Sequence, residues 1–273
     1  MHFYCRESVI SSGGRQLNED RILVLPTLAV AIDGATQVLP DAPLPSSSEG
    51  TWIADLVVRE LIEKTTANGT PVALLRELSK KIDGELANLE WPKDRVPPVC
   101  SICILSLIEC TIELAILGDV SLVYRSSGQT IRVFNNRFLT NERNAFPGNS
   151  NPDQTEQRAQ TVGVIDRRRG YILGLDGAGV LSRSPASMPS AIGGTIRPEP
   201  GDVFLLATDG FMRLLDVYDI VSSTDELFSR ATAPGGLATL LGELRRFEST
   251  RTDCIGTRKR SDDAAATIVE VVQ

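Results

Sequence analysis

Acidic residues mark the points where several apolar runs of this 273-residue chain begin or end. Six carboxylates share this placement: Glu19, Asp20, Asp33, Asp209, Asp262 and Asp263. Asp33 and Asp209 follow runs apolar enough to be buried, and each precedes a glycine. Because a lone buried carboxylate costs several kcal/mol, such a residue is expected to be paired, protonated or bound to a metal ion.

The spacing of the first carboxylates places them on one rim of a sheet. A Pro-Thr turn signal at 26–27 lies between two short apolar runs, which predicts a β-hairpin. In such a hairpin Asp20 and Asp33 lie at adjacent strand ends. We expect Asp209 and Asp262 to reach the same rim from neighbouring strands.

Such a rim has the chemistry of a metal centre. Carboxylate oxygens without histidine or thiol ligands favour Mg²⁺ or Mn²⁺ over zinc, and two such ions can activate water and clamp a phosphoryl group. Arg15, near the first acidic pair, is a candidate to bind phosphate oxygens as a bidentate fork. A single Asp-Gly pair is also typical of a plain turn, and Asp176 with Gly177 is a third copy that favours this simpler interpretation.

The composition of the chain argues against several other classes of protein function. The net charge of −7 argues against general nucleic-acid binding, and the single histidine, His2, argues against a Ser-His-Asp or Cys-His hydrolase. Cys100 and Cys103 have CxxC spacing on a predicted strand, where positions three apart point to opposite faces, so we expect core thiols. No apolar run is long enough to span a bilayer and the N-terminus does not resemble a signal peptide, which predicts a cytoplasmic protein.

The hydrophobic pattern mixes strands and helices with no composition break, so residues 1–273 are expected to form one α+β domain. A polar stretch at 136–169 predicts a long loop or flap, and the closely spaced strands between 99 and 134 predict an antiparallel meander. Strands are predicted at 3–10, 22–25, 28–32, 99–108, 111–118, 120–125, 130–134, 171–175, 202–208 and 264–272. Helices are predicted at 49–66, at 71–89 and within 210–249.

The chain resembles the metal-dependent PP2C-type (PPM) protein Ser/Thr phosphatases, bacterial members in particular, over nearly its whole length. The elements that carry the resemblance occur in the family's order: Arg15-x-x-Asn-Glu19-Asp20, Asp33-Gly34, Leu117-Gly118-Asp119, Gly201-Asp202-Val-Phe-Leu-Leu-Ala-Thr-Asp209-Gly210-Phe211, and Asp262-Asp263 before a C-terminal strand. Each motif is weak alone, but five in order make a specific match. The resemblance implies a four-layer αββα sandwich of two antiparallel sheets flanked by helices.

The resemblance also implies a centre of two Mn²⁺ or Mg²⁺ ions that activates water to hydrolyse phosphoserine and phosphothreonine monoesters. The implied catalytic residues are Arg15, which would hold the phosphate, Asp33, which would bridge both ions, and Asp209. The implied metal ligands are Glu19, Asp20, Asp33, the Gly34 carbonyl, Asp119, Asp209 and Asp262. The expected partners are a phosphorylated protein substrate and a cognate Ser/Thr kinase. Neither nucleic acid nor membrane is expected, and the chain is expected to be a monomer.

Three positions depart from the family pattern and keep two alternatives open. Ala35 and Thr36 occupy the place where eukaryotic members carry a histidine proposed as general acid, and Val120 replaces the serine of Gly-Asp-Ser. Asp119 matches a ligand of a third ion, but Arg213 stands where some members have the second such ligand, which argues against a third ion. One alternative is therefore a catalytically silent regulatory or binding domain, and the other is a phosphatase of a small phosphorylated metabolite.

Overall fold

The computed structural model describes residues 1–14, 17–35, 43–46, 48–63, 69–93, 95–135, 179–250 and 261–273. The strands in these ranges are β1 (His2–Ser11), β2 (Asp20–Leu25), β3 (Leu28–Gly34), β4 (Cys100–Ile108), β5 (Thr111–Leu117), β6 (Ser121–Ser126), β7 (Gln129–Val133), β8 (Ile192–Ile196), β9 (Val203–Ala207) and β10 (Ala264–Val272). The helices are α1 (Glu49–Glu63), α2 (Pro71–Asn88), α3 (Asp209–Asp216), α4 (Thr224–Ala231) and α5 (Gly236–Thr250), together with a 3₁₀ helix at Pro185–Ser190.

The described strands form two five-stranded antiparallel sheets, in the orders β1-β10-β9-β6-β7 and β2-β3-β4-β5-β8. Helices α1 and α2 share an apolar cluster with β3 and β4, whereas α3, α4 and α5 share one with β9 and β10. A third cluster, from Phe3 to Val271, fills the space between the sheets. Four layers in the order helix, sheet, sheet, helix confirm the predicted αββα sandwich.

Local sequence signals explain where some of the elements begin. Helix α2 begins where the Thr70 hydroxyl accepts a hydrogen bond from the Ala73 amide and Pro71 occupies the first turn. The predicted final strand, 264–272, is confirmed as β10. Strand β8 was not predicted, because its sequence contains two central glycines and little apolar patterning. The predicted strand 171–175 and the flap 136–169 lie outside the described residues.

Strand β4 is buried along almost its whole length because both of its faces are covered. Cys100 belongs to the cluster beneath α1 and α2, and Cys103 belongs to the cluster between the sheets. The two thiols therefore point to opposite faces, as predicted, and both are free. Burial raises the pKa of each thiol, which is typical of core cysteines rather than of metal ligands.

The single meander predicted between residues 99 and 134 is wrong. Strands β4 and β5 pair in one sheet, whereas β6 and β7 pair in the other, so the chain crosses between sheets after Leu117. The crossing uses Gly118, which has a φ of +81°, and a Cβ there would overlap the side chain of Ser101. Strand periodicity does not determine which sheet a strand joins, and this crossing carries Asp119 to the rim.

Among the described helices, none has both the length and the apolar character required to cross a membrane.

Candidate metal centre

The hairpin of β2 and β3 brings the first two carboxylates together, as predicted. Asp20 pairs directly with Asp33 across the hairpin, and Asp33 in turn lies opposite Ser101 of β4. The pairing extends one step further, because the Gly34 amide donates to the Glu19 carbonyl at 3.1 Å. The rim therefore has a fixed register in which Glu19, Asp20, Asp33 and Gly34 are neighbours.

Asp209 and Asp119 reach this rim from two other places in the fold. Asp209 is the first residue of α3 and is separated from the end of β9 by Thr208 alone, and Asp119 lies in the connection between β5 and β6. Carboxylate oxygens of Asp33, Asp119 and Asp209 all lie within 4.8 Å of one another, a grouping of half-buried ligands able to hold a metal ion. The resemblance implied Asp119 as a metal ligand, and its carboxylate does lie close to those of Asp33 and Asp209.

Thr208 connects the two sheets at the rim. It is the N-cap residue of α3, yet its side chain makes no capping bond to that helix. Instead its hydroxyl donates to Asp20 Oδ2 at 2.7 Å and accepts from the Ala265 amide at 2.9 Å. One buried hydroxyl thus fixes the orientation of the Asp20 carboxylate relative to β9 and β10.

The electrostatics of the rim are dominated by crowded negative charge. Asp20 is only 1% exposed, and its pKa is raised to about 8. Burial is the largest cause of this shift, the charges of Asp263, Asp262 and Glu19 add to it, and the hydrogen bond from Thr208 opposes it. The resulting carboxyl is far more easily protonated than an ordinary aspartate.

Asp33 and Asp209 are perturbed in the same direction. Burial raises the pKa of Asp33 well above its ordinary value, and the charges of Asp20, Asp209 and Asp119 add to the shift. Burial likewise raises the pKa of Asp209, with Asp119 and Asp262 as the strongest neighbouring charges. A divalent cation would relieve this repulsion, and a donor set made of carboxylate oxygens fits Mn²⁺ or Mg²⁺.

Helix α1 approaches the rim through a glycine. A Cβ on Gly50 would lie 2.8 Å from Glu19 Oε1 and 2.8 Å from the Gly34 carbonyl oxygen. Glu19 is itself buried, with 5% of its surface exposed. The missing side chain at Gly50 therefore leaves the space that the Glu19 carboxylate and the Gly34 carbonyl occupy.

The remaining predicted site residues are placed as follows. Asp262 is half-buried, and its charge acts on Asp20, Asp33 and Asp209, so it belongs to the same acidic rim. Arg15, the predicted phosphate-binding residue, lies outside the described residues.

Two departures from the family pattern are packing residues in this structure. Arg213 is buried, with its Nη1 3.8 Å from Glu248 Oε1 and its guanidinium over the Tyr218 ring at 5.3 Å. Val120 is fully buried in the cluster between the sheets. Their side chains thus contribute to the packing of the fold.

Sequence reasoning missed the residues that orient the carboxylates. Ser101 donates to Asp119 Oδ1 at 2.6 Å and accepts from the Asp119 amide at 3.3 Å. Thr208 orients Asp20 in the same way from the neighbouring sheet. Each is a short polar residue within or beside an apolar strand, and that interruption is the signal by which it could have been found.

Gly210 provides a test of how tightly this rim is packed. A Cβ at this position would overlap the backbone carbonyl of Asp263, which cannot move without shifting the start of β10. Gly210→Ala is expected to lower the free energy of unfolding by about 3 kcal/mol, measured by urea denaturation. Gly242→Ala is the matched control, because that helical glycine has open space around it, and it should raise the free energy of unfolding by about 0.5 to 1 kcal/mol. A neutral result at Gly210 would contradict the close approach of α3 and β10.

No protein-family model and no curated protein matches this sequence. Solved structures do match. The Ser/Thr phosphatase Stp1 from Staphylococcus aureus aligns with a TM-score of 0.62 at 13% identity, over 99% of this chain and 96% of that one. The Mycobacterium tuberculosis Ser/Thr phosphatase PstP/Ppp aligns with a TM-score of 0.61 at 13% identity, over the whole of both chains. The catalytic domain of PstP in complex with 2 manganese ions gives 0.60 at 13% identity, over 100% and 99%. At this identity the similarity establishes a shared fold, which confirms the fold implied by the sequence motifs.

Proposed function

We propose that this chain is a metal-dependent phosphatase that hydrolyses phosphoserine and phosphothreonine monoesters in proteins. The observation that carries the proposal is the convergence of carboxylate oxygens from Asp33, Asp119 and Asp209 within 4.8 Å at the rim of the sandwich. The matching solved structures are Ser/Thr phosphatases, and one of them holds 2 manganese ions. Both facts support a dinuclear centre here.

In this proposal two Mn²⁺ or Mg²⁺ ions are held by the rim residues. When bound, such ions supply a water activated for attack and neutralise charge on the phosphoryl group. The proposed ligands are the carboxylates and one carbonyl of the rim: Glu19, Asp20, Asp33, the Gly34 carbonyl, Asp119, Asp209 and Asp262.

The contribution of the chain itself is to hold these ligands in place before substrate arrives. Thr208 fixes Asp20 and Ser101 fixes Asp119 through short hydrogen bonds, so little reorganisation is needed when a phosphate binds. Arg15 is proposed to bind the phosphate oxygens as a bidentate donor. Because position 35 is alanine, the leaving alkoxide takes its proton from water or from another group.

Hydrolysis of a phosphothreonine peptide and of p-nitrophenyl phosphate, with and without Mn²⁺, tests the proposal. We expect Mn²⁺-dependent turnover by the wild type and its loss in Asp209→Asn, which removes one charged ligand at almost unchanged volume. Asp202→Asn is the matched control, because Asp202 lies at the opposite end of β9 and accepts a hydrogen bond from the Glu199 amide at 2.8 Å. A wild type that binds Mn²⁺ but hydrolyses neither compound would contradict the proposal.

The same assay separates the alternatives. The silent-domain hypothesis was motivated by Ala35, Val120 and Arg213, and the last two have packing roles that leave the acidic rim intact. A panel of small phosphorylated metabolites distinguishes a metabolite phosphatase, which would prefer one of them to the phosphopeptide. A phosphoprotein substrate, a cognate kinase, a monomeric state and a cytoplasmic location stay predictions.

A further inference from the structure

We propose that Asp263, which is not among the predicted metal ligands, is a positioning residue that holds the backbone amides of Gly13 and Glu19 against the start of β10, a pair of contacts that we call the clamp. The inference rests on the proposed function, because Glu19 and the next residue, Asp20, are proposed metal ligands. Its role is to set where those two proposed ligands lie relative to Asp33.

Both oxygens of the Asp263 carboxylate accept hydrogen bonds from backbone amides. Oδ1 accepts from the Gly13 amide at 2.9 Å, and Oδ2 accepts from the Glu19 amide at 2.8 Å. Asp263 is only 7% exposed. One side chain thus accepts a hydrogen bond from the backbone amide of Gly13 and another from that of Glu19.

The backbone around Asp263 is also in direct contact with Gly13. A Cβ on Gly13 would overlap the backbone of Asp262, and the Ser261 hydroxyl donates to the Gly13 carbonyl. On the other side, Gly210 of α3 lies against the Asp263 carbonyl. Asp263 therefore lies where Gly13, α3 and β10 meet.

The carboxylate form, rather than an amide, is what this geometry requires. An aspartate presents an acceptor to each amide, whereas an asparagine would present one acceptor and turn its own N–H donors toward the second amide. Both oxygens of Asp263 accept hydrogen bonds from backbone amides. Asp263 therefore differs from Asp33, Asp119 and Asp209, whose carboxylate oxygens are grouped so that they could hold a metal ion.

The Glu19 backbone connects Asp263 to the rim residues Gly34 and Asp33. The Glu19 carbonyl accepts from the Gly34 amide at 3.1 Å, and the next residue, Asp20, pairs with Asp33. Releasing the Glu19 amide from Asp263 would loosen the residue that directly precedes the paired residues Asp20 and Asp33. Groups that orient metal ligands typically change metal affinity by about 10- to 100-fold when they are removed.

Asp263→Asn tests the clamp, with Asp202→Asn as the matched control that also weakens a carboxylate–amide hydrogen bond, at the far end of β9. In Asp263→Asn we expect Mn²⁺ affinity measured by calorimetry to fall by about 10- to 100-fold. Amide hydrogen exchange in the metal-free protein should accelerate at Gly13 and Glu19 while the centre of β10 stays protected. Asp202→Asn should change neither quantity.

Unchanged Mn²⁺ affinity, or exchange that accelerates equally throughout β10, would overturn the proposal, the latter because it would show a general loss of stability. If Asp263→Asn does not fold, exchange in the wild type decides: Gly13 and Glu19 should be protected together, and an unprotected amide at either position would overturn the clamp. Neither readout needs turnover. An inactive wild type would therefore contradict the proposed function and leave the clamp to be decided by affinity and exchange.

Discussion

Asp33→Asn is expected to abolish Mn²⁺-dependent hydrolysis and, at the same time, to raise the stability of the metal-free protein. Activity should fall by more than about 100-fold, since even the loss of groups that merely orient metal ligands costs about 10- to 100-fold. Stability should rise because burial and the charges of Asp20, Asp209 and Asp119 hold the pKa of Asp33 well above its ordinary value. An ionised Asp33 therefore opposes folding, and a neutral amide of the same shape does not.

Thermal unfolding in the presence of a chelator measures the change in stability. The measurement is made at about pH 8, where ionisation of the rim carboxyls destabilises the folded state most. Asp225→Asn is a control of opposite sign, because hydrogen bonds from Thr130 and Arg125 lower the pKa of Asp225 and its ionised form favours the folded state. Asp33→Asn should raise the midpoint of unfolding and Asp225→Asn should not. A loss of both activity and metal-free stability in Asp33→Asn would contradict this prediction, because it would show that the Asp33 carboxylate stabilises the fold and does not serve mainly to bind a cation.

The metal-free protein is expected to lose stability as pH rises from about 4 to about 8. Folding raises the pKa of Asp20 to about 8, and the pKa values of Asp33 and Asp209 shift in the same direction. Over this range the folded state binds more protons than the unfolded state, so the free energy of unfolding decreases with pH. Each group contributes a slope of up to about 1.4 kcal/mol per pH unit between its unfolded and folded pKa values.

Urea denaturation in chelator across this pH range measures the slope, and repeating it with saturating Mn²⁺ measures its removal. Because the cation replaces protons at the rim, stabilisation by Mn²⁺ should be larger at high pH. For the same reason, Mn²⁺ binding should release protons, which calorimetry in buffers of different ionisation enthalpy detects. The Asp33→Asn variant should show a shallower slope in chelator. A metal-free stability that rises with pH would contradict the assignment of raised pKa values to these carboxyls.

The part of the site predicted from the sequence is the part that follows from local pattern. The turn at 26–27 with its two flanking apolar runs fixes the β2–β3 hairpin, and with it the pairing of Asp20 with Asp33. Asp209 was placed correctly beyond the end of an apolar strand. A period of two residues, a turn signal and a carboxylate at the strand end were sufficient for these residues.

The missed parts depend on which strands are neighbours in space. Strand periodicity gave no sign that the chain crosses between sheets at Gly118. The place of Asp119 beside Asp33 and Asp209 was implied only by the resemblance to the phosphatase family and not by local pattern. Ser101 acts through a neighbour 18 positions away and Asp263 through amides about 250 positions away along the chain. Such contacts exist only once the two sheets are packed together.

The most direct test of the account is a Mn²⁺ titration of chelator-treated wild type, with bound Mn²⁺ and hydrolysis of a phosphothreonine peptide followed on the same sample. No turnover is expected without metal, and turnover should rise as two ions bind per chain. Turnover that is indifferent to the chelator, or two ions bound with no hydrolysis of the phosphopeptide, would contradict it.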